Sequence, residues 1–281
     1  MNQLLDAEIR NAAETGAYVE YNGLRIFPIT MAHYEIFCAC ESALTLRQST
    51  LPAIYAAKSF AQSLFEMAMP RSPQTDAYGD LWSKLMTLVC LSLKIPIQNA
   101  QRQIKHHVDA TQGNKLVALE ITQYCDDGEF CSRVTTQQIS EIRKIIASLN
   151  GRNLPDESEN AEIIEAENDI RDANRWELDV DCVDLLASVA RDQRVRIKDV
   201  RKWTIYEFEY IRSAIERERR FSINGIGEMG GMVKWKNGNP VPSLFFNKRH
   251  ETEALIDVGT FKRRLGSAVQ ETDSIPNLPI T

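Results

Sequence analysis

Gly225-Ile-Gly227-Glu-Met-Gly230 matches the Gly-x-Gly-x-x-Gly spacing that lets a backbone approach a pyrophosphate. That chemistry needs a strand before the glycines and a helix after them, so that helix amides meet the phosphate. Here the order is reversed: a helical stretch precedes the glycines and a β-prone run, residues 232–236, follows. The motif therefore reads as a turn at a helix C-terminus, where glycine permits positive φ. Met229 and Met232 flank the turn, and methionine surfaces repack easily against a partner.

The other reactive residue types point the same way. His106 and His107 are adjacent, so they do not share a helix face, and Cys125 and Cys131 span a predicted hairpin turn. Structural zinc takes four ligands in closer pairs. The carboxylates of residues 156–184 read as the wet face of an amphipathic helix, because a catalytic pair needs a desolvated pocket to separate two pKa values. No Gly-x-Ser-x-Gly, Gly-Lys-Ser/Thr or His-Glu-x-x-His occurs. The expectation is no catalytic residue, no cofactor, no metal, and a non-enzymatic protein. The one basic region joins Arg212, Arg217, Arg219 and Arg220 to Arg194, Arg196, Lys198, Arg201 and Lys202. It reads either as pairing along helices, such as Glu216 with Arg220, or as a docking face for an acidic helix or a nucleic acid. No aromatics are interleaved for base stacking.

Composition sets the frame for these residues. The chain has 281 residues, 43% hydrophobic and 26% charged, which is globular and long enough for one large domain or two ordinary ones. A net charge of -6 weighs against a duplex nucleic-acid binder. None of the six cysteines forms a Cys-x-x-Cys pair, so free thiols in reducing cytoplasm are expected. No secretory signal is seen, and the longest apolar run, residues 85–93, is too short to span a bilayer.

The elements follow from periodicity and turn chemistry. Residues 4–14 predict a helix ending at Gly16, and Asn22-Gly23 predicts a two-residue hairpin turn. Helices are expected over 31–46, from Pro52 to about residue 68, and over 80–94, the last apolar nearly all round and so central. Ile97, Ala100, Ile104 and Val108 suit a helix, with helix or strand left open around Ile104. Residues 116–124 and 129–134 flank an Asp-Asp-Gly turn as a second hairpin, and Thr135 or Thr136 caps a helix closed by Asn150-Gly151. Thr204 and Glu207 form a capping box for a helix with Ile205, Phe208, Ile211 and Ile215 on one face. The fold class is mainly α, of the α+β kind, with helical N- and C-terminal parts and small antiparallel β-hairpins. The expected organisation is a helical domain over 1–150, a linker over 151–160, acidic helices and a helix-turn-strand unit over 161–265, and a flexible tail over 266–281.

Several stretches resemble the tail assembly chaperones of tailed bacteriophages. They are Gly-Leu-Arg-Ile-Phe-Pro-Ile-Thr-Met, Leu-Trp-Ser-Lys-Leu-Met, Val-Thr-Thr-Gln-Gln-Ile-Ser-Glu-Ile-Arg-Lys-Ile-Ile, Asn150-Gly, Leu154-Pro, Glu162-Ile-Ile-Glu-Ala-Glu-Asn-Asp, and Trp203-Thr-Ile-Tyr-Glu-Phe-Glu with the downstream Gly-Gly-Met-Val-Lys-Trp-Lys. The resemblance spans residues 21–235 and implies a non-enzymatic role. Such proteins coat the tape-measure protein, keep it soluble, help recruit tail-tube subunits and usually leave before the virion matures. It also implies residence in the host cytoplasm; the alternative is a structural protein of the phage tail or baseplate. Partner contacts are expected at Arg212, Arg219, Met229, Met232 and Trp235. Homo-oligomerisation is left open.

Overall fold

In the computed structural model of the chain, the residues described are 3–55, 57–69, 80–112, 115–154 and 181–231. Contacts divide the chain into two compact units, Met1–Ser213 and Ala214–Thr281. The fold is mainly helical α+β, with a two-stranded hairpin and a three-stranded antiparallel sheet.

Helix α1 (Gln3–Thr15) ends at Gly16, whose φ of 73° breaks it as expected. Strands β1 (Val19–Tyr21) and β2 (Leu24–Ile26) follow, joined by Asn22 and Gly23 at φ 51° and 73°. Positive φ at both turn residues matches the strand twist. Residues 31–46 do not form the single expected helix. A 3-10 turn leads into α2 (Tyr34–Cys40) and α3 (Ser42–Thr45), with Glu41 between them. The expected helix from Pro52 starts later, as α4 (Phe60–Ala68), where Ser59 accepts from the Gln62 amide. A hydroxyl that satisfies an orphan helix donor decides that start. Next is α5 (Leu81–Ser92), with Leu85, Leu88, Val89 and Cys90 fully buried. It packs against α2, α3, α4 and the later α7 (Thr136–Leu149), at the centre of the core.

The helix expected from Ile97 is only α6 (Ala100–Gln103), followed by a strand, β3 (Ile104–Asp109). Apolar spacing there fits both periods. Pairing with β4 (Lys115–Cys125) decides it, because β3 lies antiparallel to β4 from Ile104↔Ile121 onward. Strand β5 (Gly128–Thr135) returns on the far side of β4, so the sheet order is β3-β4-β5. Thr135 then caps α7 in a full capping box with Gln138.

Buried amides join these parts. The Gln123 side chain, fully buried, accepts from the Arg25 amide at 2.9 Å and donates to the Arg25 carbonyl at 2.8 Å and the Leu93 carbonyl at 3.0 Å. Asn150 accepts from the Ile29 amide at 2.9 Å and donates to the Ile146 carbonyl at 2.7 Å. Leaving either set unpaired would cost about 1–3 kcal/mol per group. Above the sheet edge, the Arg25 guanidinium forks onto Asp127 at 2.7 and 2.5 Å, between the rings of Tyr18 and Phe130.

Past residue 180, α8 (Cys182–Gln193) and α9 (Ile197–Val200) lead into α10 (Ile205–Met229). Residues 28–32 run beside 201–205: Met31 donates to the Trp203 carbonyl at 2.9 Å, Ala32 to Arg201 at 3.0 Å, and the Ile205 amide to Ile29 at 2.9 Å. Residues 182–213 thus belong to the same unit as the N-terminal helices, and the division between units falls inside α10. The expected linker at 151–160 lies outside the described residues from 155 on, as do the acidic helix after it, the strand after the glycines and the tail.

Candidate functional site

Helix α10 carries every described residue on which a partner contact was expected. Its first turn is fixed from several sides. The Thr204 hydroxyl donates to the Ala13 carbonyl at 3.1 Å and accepts from the Glu207 amide at 3.0 Å. The Glu207 carboxylate returns a bond to the Thr204 backbone, completing the capping box, while burial holds its pKa above the ordinary glutamate range. Ile205 and Phe208 are both 0% exposed, and the Phe208 ring meets that of Tyr34 at 6.2 Å.

One turn further, Glu209 collects three partners. The Tyr34 hydroxyl donates to it at 3.1 Å, Arg212 pairs with it at 2.8 Å, and Arg152 approaches at 3.8 Å while bonding Glu41 at 2.5 Å. Burial, with Glu209 next in weight, pushes the Tyr34 phenol well above its usual value and keeps it neutral. Arg212 is therefore engaged inside its own unit, with its Nε buried and without a hydrogen-bond partner. Local pattern gives no hint of the links from Tyr34 to Glu209 and from Arg152 to Glu41, which join residues 175 and 111 apart.

The second unit begins at Ala214, and its described part is the distal half of α10. The glycine turn expected at 225–230 is not there. The helix runs through Gly225 and Gly227 to Met229, the Gly230 amide still donates to the Ile226 carbonyl at 2.8 Å, and only Gly231, at φ 71°, breaks it. Each interior glycine costs about 1 kcal/mol against alanine, which the remaining helix bonds outweigh. Because the glycines are helical, Ile223, Ile226 and Met229 fall three apart on adjoining turns. They are 66%, 65% and 86% exposed. Arg219 lies seven residues before Ile226, on the same side, and Arg220 pairs with Glu216 at 2.9 Å as expected. Met232 and Trp235 lie outside the described residues.

Elsewhere in the first unit, His106 stacks on Phe65 at 5.6 Å beside Trp82, and this packing lowers its pKa by desolvation. His107 meets Glu120 at 3.2 Å. Among the described residues no three His, Cys, Asp or Glu side chains are grouped to hold a metal ion, and no helix is long and apolar enough to cross a membrane. A mainly apolar cleft of about 460 Å³ lies between residues 28–36 and 90–98, and a smaller one of about 320 Å³ lies around Arg10, Arg152 and Tyr206. Comparison with protein-family models, with curated proteins and with solved structures found no match.

Proposed function

We propose that this chain is a non-enzymatic binding protein that holds a helical client along distal α10, and that it serves as a chaperone of phage tail assembly. The client is the tape-measure protein, with tail-tube subunits recruited to the complex in the host cytoplasm. The observation that carries this reading is the exposed row of Ile223, Ile226 and Met229. Three large apolar side chains on successive turns form the kind of ridge on which an amphipathic helix lays its own apolar face. Unbranched Met229 adapts to side chains of different size, which suits a long and variable client. The family identity rests on the sequence resemblance.

Coexpression with the tape-measure protein tests this. The wild-type chain should co-purify with it at mild salt, and the double variant Ile223→Glu/Ile226→Glu should lose it while keeping its melting temperature. No co-purification, or retention by the double variant, overturns the reading. Mass spectrometry of purified particles should find the chain absent; stoichiometric presence would make it a structural tail component.

A further inference from the structure

A second surface lies in the other unit, at the corner between α8 and α9. Residues 191–202 carry six cations, Arg191, Arg194, Arg196, Lys198, Arg201 and Lys202, against two carboxylates, Asp192 and Asp199. All six cations are exposed. The corner is built by Arg194, which takes a left-handed φ of 55° and lets the Val195 amide close back on the Ala190 carbonyl at 3.0 Å. Asp199 binds Arg196 at 2.9 Å and touches Lys202 at 3.9 Å. Arg194, Lys198 and Arg201 have no ion pair among the described residues. Cations at a helix C-terminus suit its dipole: Arg194 closes α8, and Lys198 and Arg201 lie at the end of the short α9.

Two further observations narrow the partner. Val195 and Ile197 stand exposed among the cations, 38% and 37% open. The apolar cleft begins on the stretch bonded to this corner: its walls include Thr30, His33, Ile36 and Ile97, and the intervening Ala32 donates to the Arg201 carbonyl. We infer that the α8–α9 corner and the adjoining cleft dock an acidic amphipathic helix of a partner protein, its carboxylates on Arg194, Lys198 and Arg201 and its apolar side chains in the cleft. A nucleic acid fits less well. Residues 191–202 contain no aromatic ring to stack on a base, exposed aliphatics face a phosphate backbone poorly, and the chain as a whole is acidic.

The test uses the full chain and a synthetic amphipathic helix of about 20 residues, roughly 30 Å long, with glutamate on one face and leucine on the other. A single-stranded oligonucleotide of equal length is the competing probe. The peptide should bind more tightly than the oligonucleotide and weaken with salt. The triple variant Arg194→Glu/Lys198→Glu/Arg201→Glu should lose about tenfold or more in affinity, about 1.4 kcal/mol, together with most of the salt dependence. Ile97→Asp, in the cleft wall, should weaken binding and leave the salt slope unchanged. A triple glutamine variant replaces the reversal if the latter melts early. No peptide binding, tighter oligonucleotide binding, or wild-type affinity in either the charge or the cleft variant overturns the inference. Both surfaces are separable, because these variants leave distal α10 intact and client capture through it should persist.

Discussion

The two halves of α10 use one helical period to opposite ends. In the first, Ile205 and Phe208 are sealed in the core, and Thr204, Glu207 and Glu209 are each bonded. In the second, Ile223, Ile226 and Met229 keep a helical spacing and face outward. Periodicity predicts a face, but what lies across from it decides whether the face becomes core. The first half finds Tyr34, Ala13 and residues 29–31 waiting for it; in the second, Ile223, Ile226 and Met229 stand open. A helix gains most of its stability from such packing, so the two halves should respond differently to the same kind of change.

Phe208→Ala should have the largest effect, destabilising the protein by about 3–5 kcal/mol in denaturant unfolding. A loss under about 1 kcal/mol would mean that the first half is not core. Thr204→Ala removes both the cap and the bond to the Ala13 carbonyl, and about 1–2 kcal/mol should go with them. Glu207→Gln gives a smaller, pH-dependent difference. Burial raises the folded-state pKa of Glu207, so its favourable contribution is complete below the unfolded value of about 4.3 and is lost as pH rises through the higher folded value. Glutamine keeps the capping-box geometry and should erase that limb from the plot of melting temperature against pH. Ile226→Ser should change stability least, within about 0.5 kcal/mol; a larger loss would show that the outward face is covered after all.

What the sequence revealed and what it hid follow the same division between local and distant causes. Asn22-Gly23, Gly16, the cap at Thr135 and the Thr204–Glu207 box are decided within four residues, and each is found where it was expected. β3 was hidden because its apolar residues fit a helical period, and only β4, some ten residues on, makes it a strand. Gln123 gives no signal, and Asn150 signals the end of a helix but not its buried bonds. A polar side chain in a strand or at a helix end looks like a solvent-facing one until its partners, 98 and 121 residues away, are known. On the candidate site, the glycines at 225–230 point in sequence to a turn, whereas the exposed row exists because Gly225 and Gly227 stay helical. Arg212 stands out in sequence only by its charge, and its tie to Glu209 draws on an environment that residues 34 and 152 complete.

The bond from the Thr204 hydroxyl to the Ala13 carbonyl closes a loop of 191 residues. At a synthesis rate of roughly 5–20 residues per second, about 10–40 s separate the two residues at the ribosome. Throughout that interval the end of α1 and the stretch after Pro28 lack the segment that completes them. The nascent chain must therefore stay soluble while unfinished, and any product that stops short of residue 204 leaves the ribosome without its closing segment.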